Sequence, residues 1–89
     1  MSYVDGFLLA VPTKNLKAYK AMSNLGGKIW REFGALDYRE SAGDDLTFKG
    51  MNSFLKLMKC KKSETLIFAY ILYKSKADRN KINKQVMKD

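Results

Sequence analysis

Histidine is missing altogether from these 89 residues, and cysteine and proline occur once each. Without an imidazole there is no Ser-His-Asp or Cys-His nucleophile, no histidine base and no ordinary zinc site. No metal and no cofactor is therefore expected, and no catalytic motif is recognisable. The single thiol, Cys60, lies between Lys59 and Lys61. Neighbouring ammonium groups favour a thiolate, but the plainer reading is an incidental cysteine in a cytosolic protein. Long apolar runs are scarce too: the longest, Leu66 to Tyr73, has eight residues, far short of the ~20 that span a bilayer. The start, Met1-Ser2-Tyr3-Val4-Asp5, lacks the basic and apolar regions of a signal peptide. These absences lead to the expectation of a cytoplasmic protein with no membrane partner.

What is present is the composition of a folded chain, 46% hydrophobic and 29% charged. Residues 1–89 read as one domain, near the size at which a core shared with a partner helps to offset chain entropy. Seventeen basic against nine acidic residues give a charge of +8, which permits attraction to nucleic acid. The lysines are scattered over helical stretches, however, as solvated faces are.

The run Thr65-Leu66-Ile67-Phe68-Ala69-Tyr70-Ile71-Leu72-Tyr73 is a strand with two apolar faces. Leu66, Phe68, Tyr70 and Leu72 share one side; Ile67, Ala69, Ile71 and Tyr73 share the other. Both sides need cover. The helices of so short a chain suffice for one, so a ligand, a nucleic acid or a second copy of the chain is expected on the other.

Tyr3 to Val11 forms a first strand with Tyr3, Asp5, Phe7, Leu9 and Val11 on one face. Pro12 ends it, and Thr13 or Asn15 can cap the next helix. There Leu16, Tyr19, Met22, Leu25, Ile29 and Phe33 recur at helical spacing as one apolar stripe, and Gly34 is placed for a left-handed cap. Gly26-Gly27 interrupts this helix, a pair that suits close packing against a neighbour. Leu36 to Ser41 alternates weakly as a second strand. Within Leu46 to Lys62, a short helix follows Asn52 or Ser53. After the central strand, Ser75 starts a final helix with Asp78 as its capping partner and Ala77, Ile82 and Val86 toward the sheet. The predicted order is strand, helix, strand, short helix, strand, helix. It fits a ferredoxin-like α+β domain whose antiparallel sheet carries helices on one face and lacks its final strand.

Tyr3-Val4-Asp5-Gly6-Phe7, Ala35-Leu36-Asp37-Tyr38-Arg39-Glu40, Gly43-Asp44-Asp45, Tyr73-Lys74-Ser75 and Val86-Met87-Lys88-Asp89 resemble the YbaA-like family of small bacterial proteins of unknown function. The resemblance runs through the whole chain in the same order. It implies a ferredoxin-like subunit of a dimeric α/β barrel, in which two subunits pack sheet against sheet as a homodimer. Members of that family continue beyond the equivalent of Met87-Lys88-Asp89 into a last strand, and carry Lys-Pro-Gly-Glu where this chain has Lys61-Lys62-Ser63-Glu64. The barrel architecture also resembles cofactor-independent monooxygenases, dehydratases, haem-degrading enzymes and ligand binders, among which fold does not choose.

The leading functional reading is a homodimer that binds a small apolar molecule, or a monooxygenase-like enzyme without a cofactor. Its polar handles are Asp5, Tyr38, Arg39, Glu40, Asp44 and Asp45, and its walls are Trp30, Phe68 and Tyr70. Asp5 lies among apolar residues, where a carboxylate acts as a base with a raised pKa or pairs with Arg39. Two other classes stand beside this one. A single-stranded nucleic-acid binder would use Phe68 and Tyr70 for stacking, although the RNA-recognition signature is absent from the central strand. A non-catalytic structural or regulatory dimer would use the apolar sheet face alone.

Overall fold

A computed structural model describes residues 1–44, 46 and 53–88. The first strand, β1 (Tyr3–Pro12), leads through a 3-10 turn (Thr13–Asn15) into α1 (Leu16–Glu32); β2 (Asp37–Ala42), the short α2 (Phe54–Leu57), β3 (Glu64–Tyr73) and α3 (Lys76–Val86) follow. The sheet is antiparallel in the order β1-β3-β2. Its register places Tyr3 opposite Tyr73, Phe7 opposite Ala69, and Tyr38 opposite Ile71. Sequence-adjacent β1 and β2 thus flank β3 instead of pairing, as a helix-linked ferredoxin-like arrangement requires. The shortest dimension is 16 Å, one sheet with one layer of helix.

The register assigns the two faces. Odd positions of β1 and β3 and even positions of β2 lie under α1 and α3. This inner face holds the core of Ala35, Ile71, Tyr73 and Ile82, with Tyr3, Trp30, Phe33, Tyr38 and Val86 packed against it. Burying such side chains stabilises the fold by ~1.5–3 kcal/mol each. Tyr73 is wholly buried, and its hydroxyl donates to Asn83 Oδ1 at 3.3 Å.

The outer face carries Val4, Leu8, Leu66, Phe68, Tyr70 and Leu72. It is open over much of its area, with Val4 55% and Phe68 44% exposed. One end is covered by the chain itself. Phe54 of α2 stacks in parallel on Phe68 with centroids 6.3 Å apart, and Leu46 and Leu55 gather beside the buried Leu66. The expectation of helices on one face therefore holds for α1 and α3 but not for α2.

Several local expectations change. Met22 and Leu25 are 63% and 61% exposed, because α1 turns Tyr19, Ser23, Gly26, Gly27 and Trp30 toward the sheet instead. The glycine pair lets the helix run unbroken at close range to Tyr38, as a Cβ on Gly27 would lie 2.9 Å from Tyr38 Cδ1. Neither Thr13 nor Asn15 caps α1 with its side chain; the Thr13 hydroxyl is engaged with that of Thr65 at 2.9 Å. Ser53 and Ser75 do cap their helices, accepting from the backbone N–H of Lys56 and Asp78, while Asn52 lies outside the described residues. Gly34 has a φ of 116° and turns the chain out of α1 into β2. Ala77 faces solvent, leaving Ile82 and Val86 to pack α3.

Candidate functional site

Two polar clusters interrupt the inner face. The larger centres on Glu40. Alternation along β2 points Tyr38 and Glu40 to the same side, and the spacing of Tyr19 and Ser23 puts both on the side of α1 that faces them. Tyr19 donates its phenolic proton to Glu40 Oε1, and Tyr38 donates to Oε2 at 2.7 Å. Partial burial raises the Glu40 pKa, but hydrogen bonds from Ser23, Tyr19 and Tyr38 outweigh it and hold the carboxyl below its ordinary range. The same contacts act oppositely on the phenols. Burial first, then bonding to Glu40, pushes Tyr38 up to about 12 and raises Tyr19 as well.

This cluster borders a cavity of about 320 Å³ between α1 and the sheet. Phe7, Leu9, Ala69 and Ile71 form its floor, Trp30 and Met22 stand on the helix side, and Tyr19, Ser23, Tyr38 and Glu40 supply its polar end. A second space, about 510 Å³, opens on the far side of Tyr19 toward Leu16, Lys17, Lys20 and Ile67. Phe7 and Leu9 remain 45% and 38% exposed, so the cavity opens beside β1.

The smaller cluster joins β1 to α3. Arg79 lies 5.0 Å from the centroid of the Tyr3 ring and donates to the Tyr3 hydroxyl at 2.6 Å. Its Nε is 3.4 Å from Asp5 Oδ2, an ion pair whose buried N–H makes no hydrogen bond among the described residues. Burial, then the Asp5 charge, pushes the neighbouring Tyr73 up to about 12. Asp5 therefore pairs with Arg79 and not with Arg39, because strand parity puts Asp5 on the inner face and Arg39 on the outer.

The residues singled out from the sequence are divided between the faces. Trp30, Tyr38 and Glu40 meet at the cavity; Asp5 shares their face but belongs to the Arg79 cluster. Arg39, Phe68 and Tyr70 are on the outer face. There Arg39 pairs with Asp37 at 3.3 Å, and the Tyr70 hydroxyl donates to the same carboxylate at 2.9 Å. That hydrogen bond, ahead of the opposing effect of desolvation, lowers the Asp37 pKa. Phe68, 44% exposed, stacks on Phe54 of α2. Asp44 is exposed beyond β2, and Asp45 lies outside the described residues. Sequence reading missed Tyr19, Ser23 and Arg79. The first two were legible in principle, since Tyr19, Ser23, Gly26-Gly27 and Trp30 follow helical spacing; Arg79 had no local signal.

No helix among the described residues is long and apolar enough to cross a membrane. The family model described as a protein of unknown function, DUF1428, matches residues 2–89. Proteins called "Uncharacterized protein YbaA" from Escherichia coli K12 and from Shigella flexneri are each 35% identical to this chain over 89 residues, which cover 100% of it and 76% of each relative. A family match from the second residue to the last, in a chain whose strands and helices follow the predicted order along the sequence, establishes that this protein belongs to the DUF1428 family of proteins of unknown function.

Proposed function

We propose that the protein binds a small, largely apolar molecule in the cavity between α1 and the sheet, and that it does so as a homodimer joined through the outer sheet face. The cavity under Trp30 carries this reading: apolar walls for bulk and one fixed polar end for orientation are the ordinary make-up of a small-molecule site. The polar end suits holding better than proton abstraction, because a carboxylate held below its usual pKa is a weaker base.

The outer face supports the second copy. Among its strand positions Asp37, Arg39 and Glu64 carry charge, and none is a lysine, in a chain with 17 basic residues. Two copies can meet there without concentrating positive charge, and Asp37–Arg39 pairs are available to both.

Trp30 is the sole tryptophan and reports on its own wall. Titration with cyclohexanol, which does not absorb in the tryptophan band, is expected to change Trp30 emission saturably and raise the melting temperature. Unsaturable, linear changes with no thermal shift would contradict a binding cavity.

A further inference from the structure

If the cavity is a binding site, its lining also specifies the chemistry of the occupant; the ligand class inferred from that lining rests on the cavity reading. Among the described residues lining the cavity, Glu40 alone carries a charge. The ion pairs of the described residues, formed within 4.0 Å, are Arg39 with Asp37 and Arg79 with Asp5, so none neutralises Glu40. Glu40 also borders the adjoining space with Lys17 and Lys20 and a hollow at the rim with Arg31 and Arg39, but none of these cations lines this cavity or pairs with Glu40 within 4.0 Å.

The hydrogen bonds point the same way. Tyr19 and Tyr38 spend their hydroxyl protons on Glu40. What they offer a ligand is oxygen lone pairs, and an ionised carboxylate also only accepts. With the Ser23 hydroxyl also bonded to Glu40, the polar end around that carboxylate is rich in acceptors and negative. An anionic head group would find repulsion there and few protons to hold it. A donor head group would find acceptors already fixed in place, and a cationic one would also find a carboxylate that has no ion-pair partner among the described residues. Trp30 and Tyr38 add aromatic rings, which attract cations over their faces. The net charge of +8 opposes a cation at long range, but salt screens that field beyond ~8 Å.

We infer that the cavity takes a compact apolar molecule bearing a protonated amine, with its ammonium group against Glu40 and its hydrocarbon part over Phe7, Ala69 and Ile71 beside Trp30. Binding is non-covalent; no bond is made or broken.

Three probes of one shape test this: cyclohexylethylamine, cyclohexylethanol and cyclohexylpropionate, titrated at neutral pH against Trp30 emission in the whole chain. The amine is expected to bind at least about tenfold more tightly than the alcohol, the margin of a charge-assisted over a neutral hydrogen bond. The carboxylate is expected not to bind. In Glu40→Gln the amine falls to the level of the alcohol. Equal binding of amine and alcohol, tighter binding of the carboxylate, or an amine preference that survives Glu40→Gln overturns the assignment of ligand class and leaves the cavity standing. If none of the three perturbs Trp30, the cavity reading falls, and the ligand class with it. The wild-type comparison decides the matter even if Glu40→Gln fails to fold.

Discussion

Gly26 and Gly27 are neighbours in α1 with opposite expected responses to the same change. A Cβ at Gly27 meets the Tyr38 ring at 2.9 Å, whereas at Gly26 the nearest atom is the Tyr38 hydroxyl oxygen at 3.5 Å, an ordinary contact. Gly27→Ala should destabilise the fold by ~1–3 kcal/mol through overpacking, less the helix-propensity gain. Gly26→Ala should stabilise it by ~0.5–1 kcal/mol. Urea denaturation of both variants checks the pair of signs. The tyrosines give a second residue-scale test. Below pH 10 the phenols of Tyr38 and Tyr73 are neutral whether the chain is folded or not; between 10 and about 12 the unfolded chain ionises first. Their contribution to stability is therefore lost across that window, and phenolate absorbance should show Tyr38 and Tyr73 titrating near 12, with Tyr19 and Tyr70 also late. Glu40 works in the other direction: its folded pKa lies below the ordinary 4.5, so its contribution is present above that value and is lost as pH falls through the folded one. The sequence made Tyr38 and Glu40 visible as polar residues on one strand face. Tyr19 lay on the predicted inward stripe of α1, but that it would share their carboxylate depended on how closely the helix approaches β2.

At the level of elements, the strands were legible because alternation has a period of two and a shift of one residue exchanges the faces. The ten-residue span of β3 and the Asp5-Phe7-Leu9 face of β1 follow directly from their sequences. α1 was legible as a helix and in most of its stripe, since Leu16, Tyr19, Ile29 and Phe33 are partly buried, but not at Met22 and Leu25. Leu, Met and Tyr at spacings of three and four outline a stripe through Met22 and Leu25, yet the buried side is set by the two glycines, whose lack of side chains admits Tyr38. Apolar periodicity cannot register a contact made by the absence of a side chain. Caps were legible where the hydroxyl had no competing partner. At α3 the Ser75 Oγ accepts from Asp78 N at 3.1 Å, so Ser75→Ala should cost ~1 kcal/mol. A lower urea midpoint with an unchanged slope would show this as a loss of stability and not of compactness.

Over the whole molecule, the sheet has an inner side that holds the cavity and an outer side that remains largely apolar. The need for a second cover on β3 could be read from its sequence; the part of that cover supplied by α2 could not, because it depends on where a four-residue helix lands. The homodimer proposed through the outer face predicts a dimeric mass by light scattering that persists at raised salt, since that face is mainly apolar. Phe68→Lys should give a folded monomer by the same measurement, with the far-ultraviolet circular dichroism retained. A wild-type monomer at tens of micromolar, or a dimer indifferent to Phe68→Lys, would place the association elsewhere.

The division of labour between the two faces is tested most directly by nuclear magnetic resonance of the isotope-labelled chain, mapping shift changes on saturation with cyclohexylethylamine. Signals of Phe7, Gly26, Trp30, Ala69 and Ile71 are expected to move while those of Val4, Phe68 and Leu72 stay in place. Changes confined to Val4, Phe68 and Leu72 would put the ligand on the outer face and contradict that division.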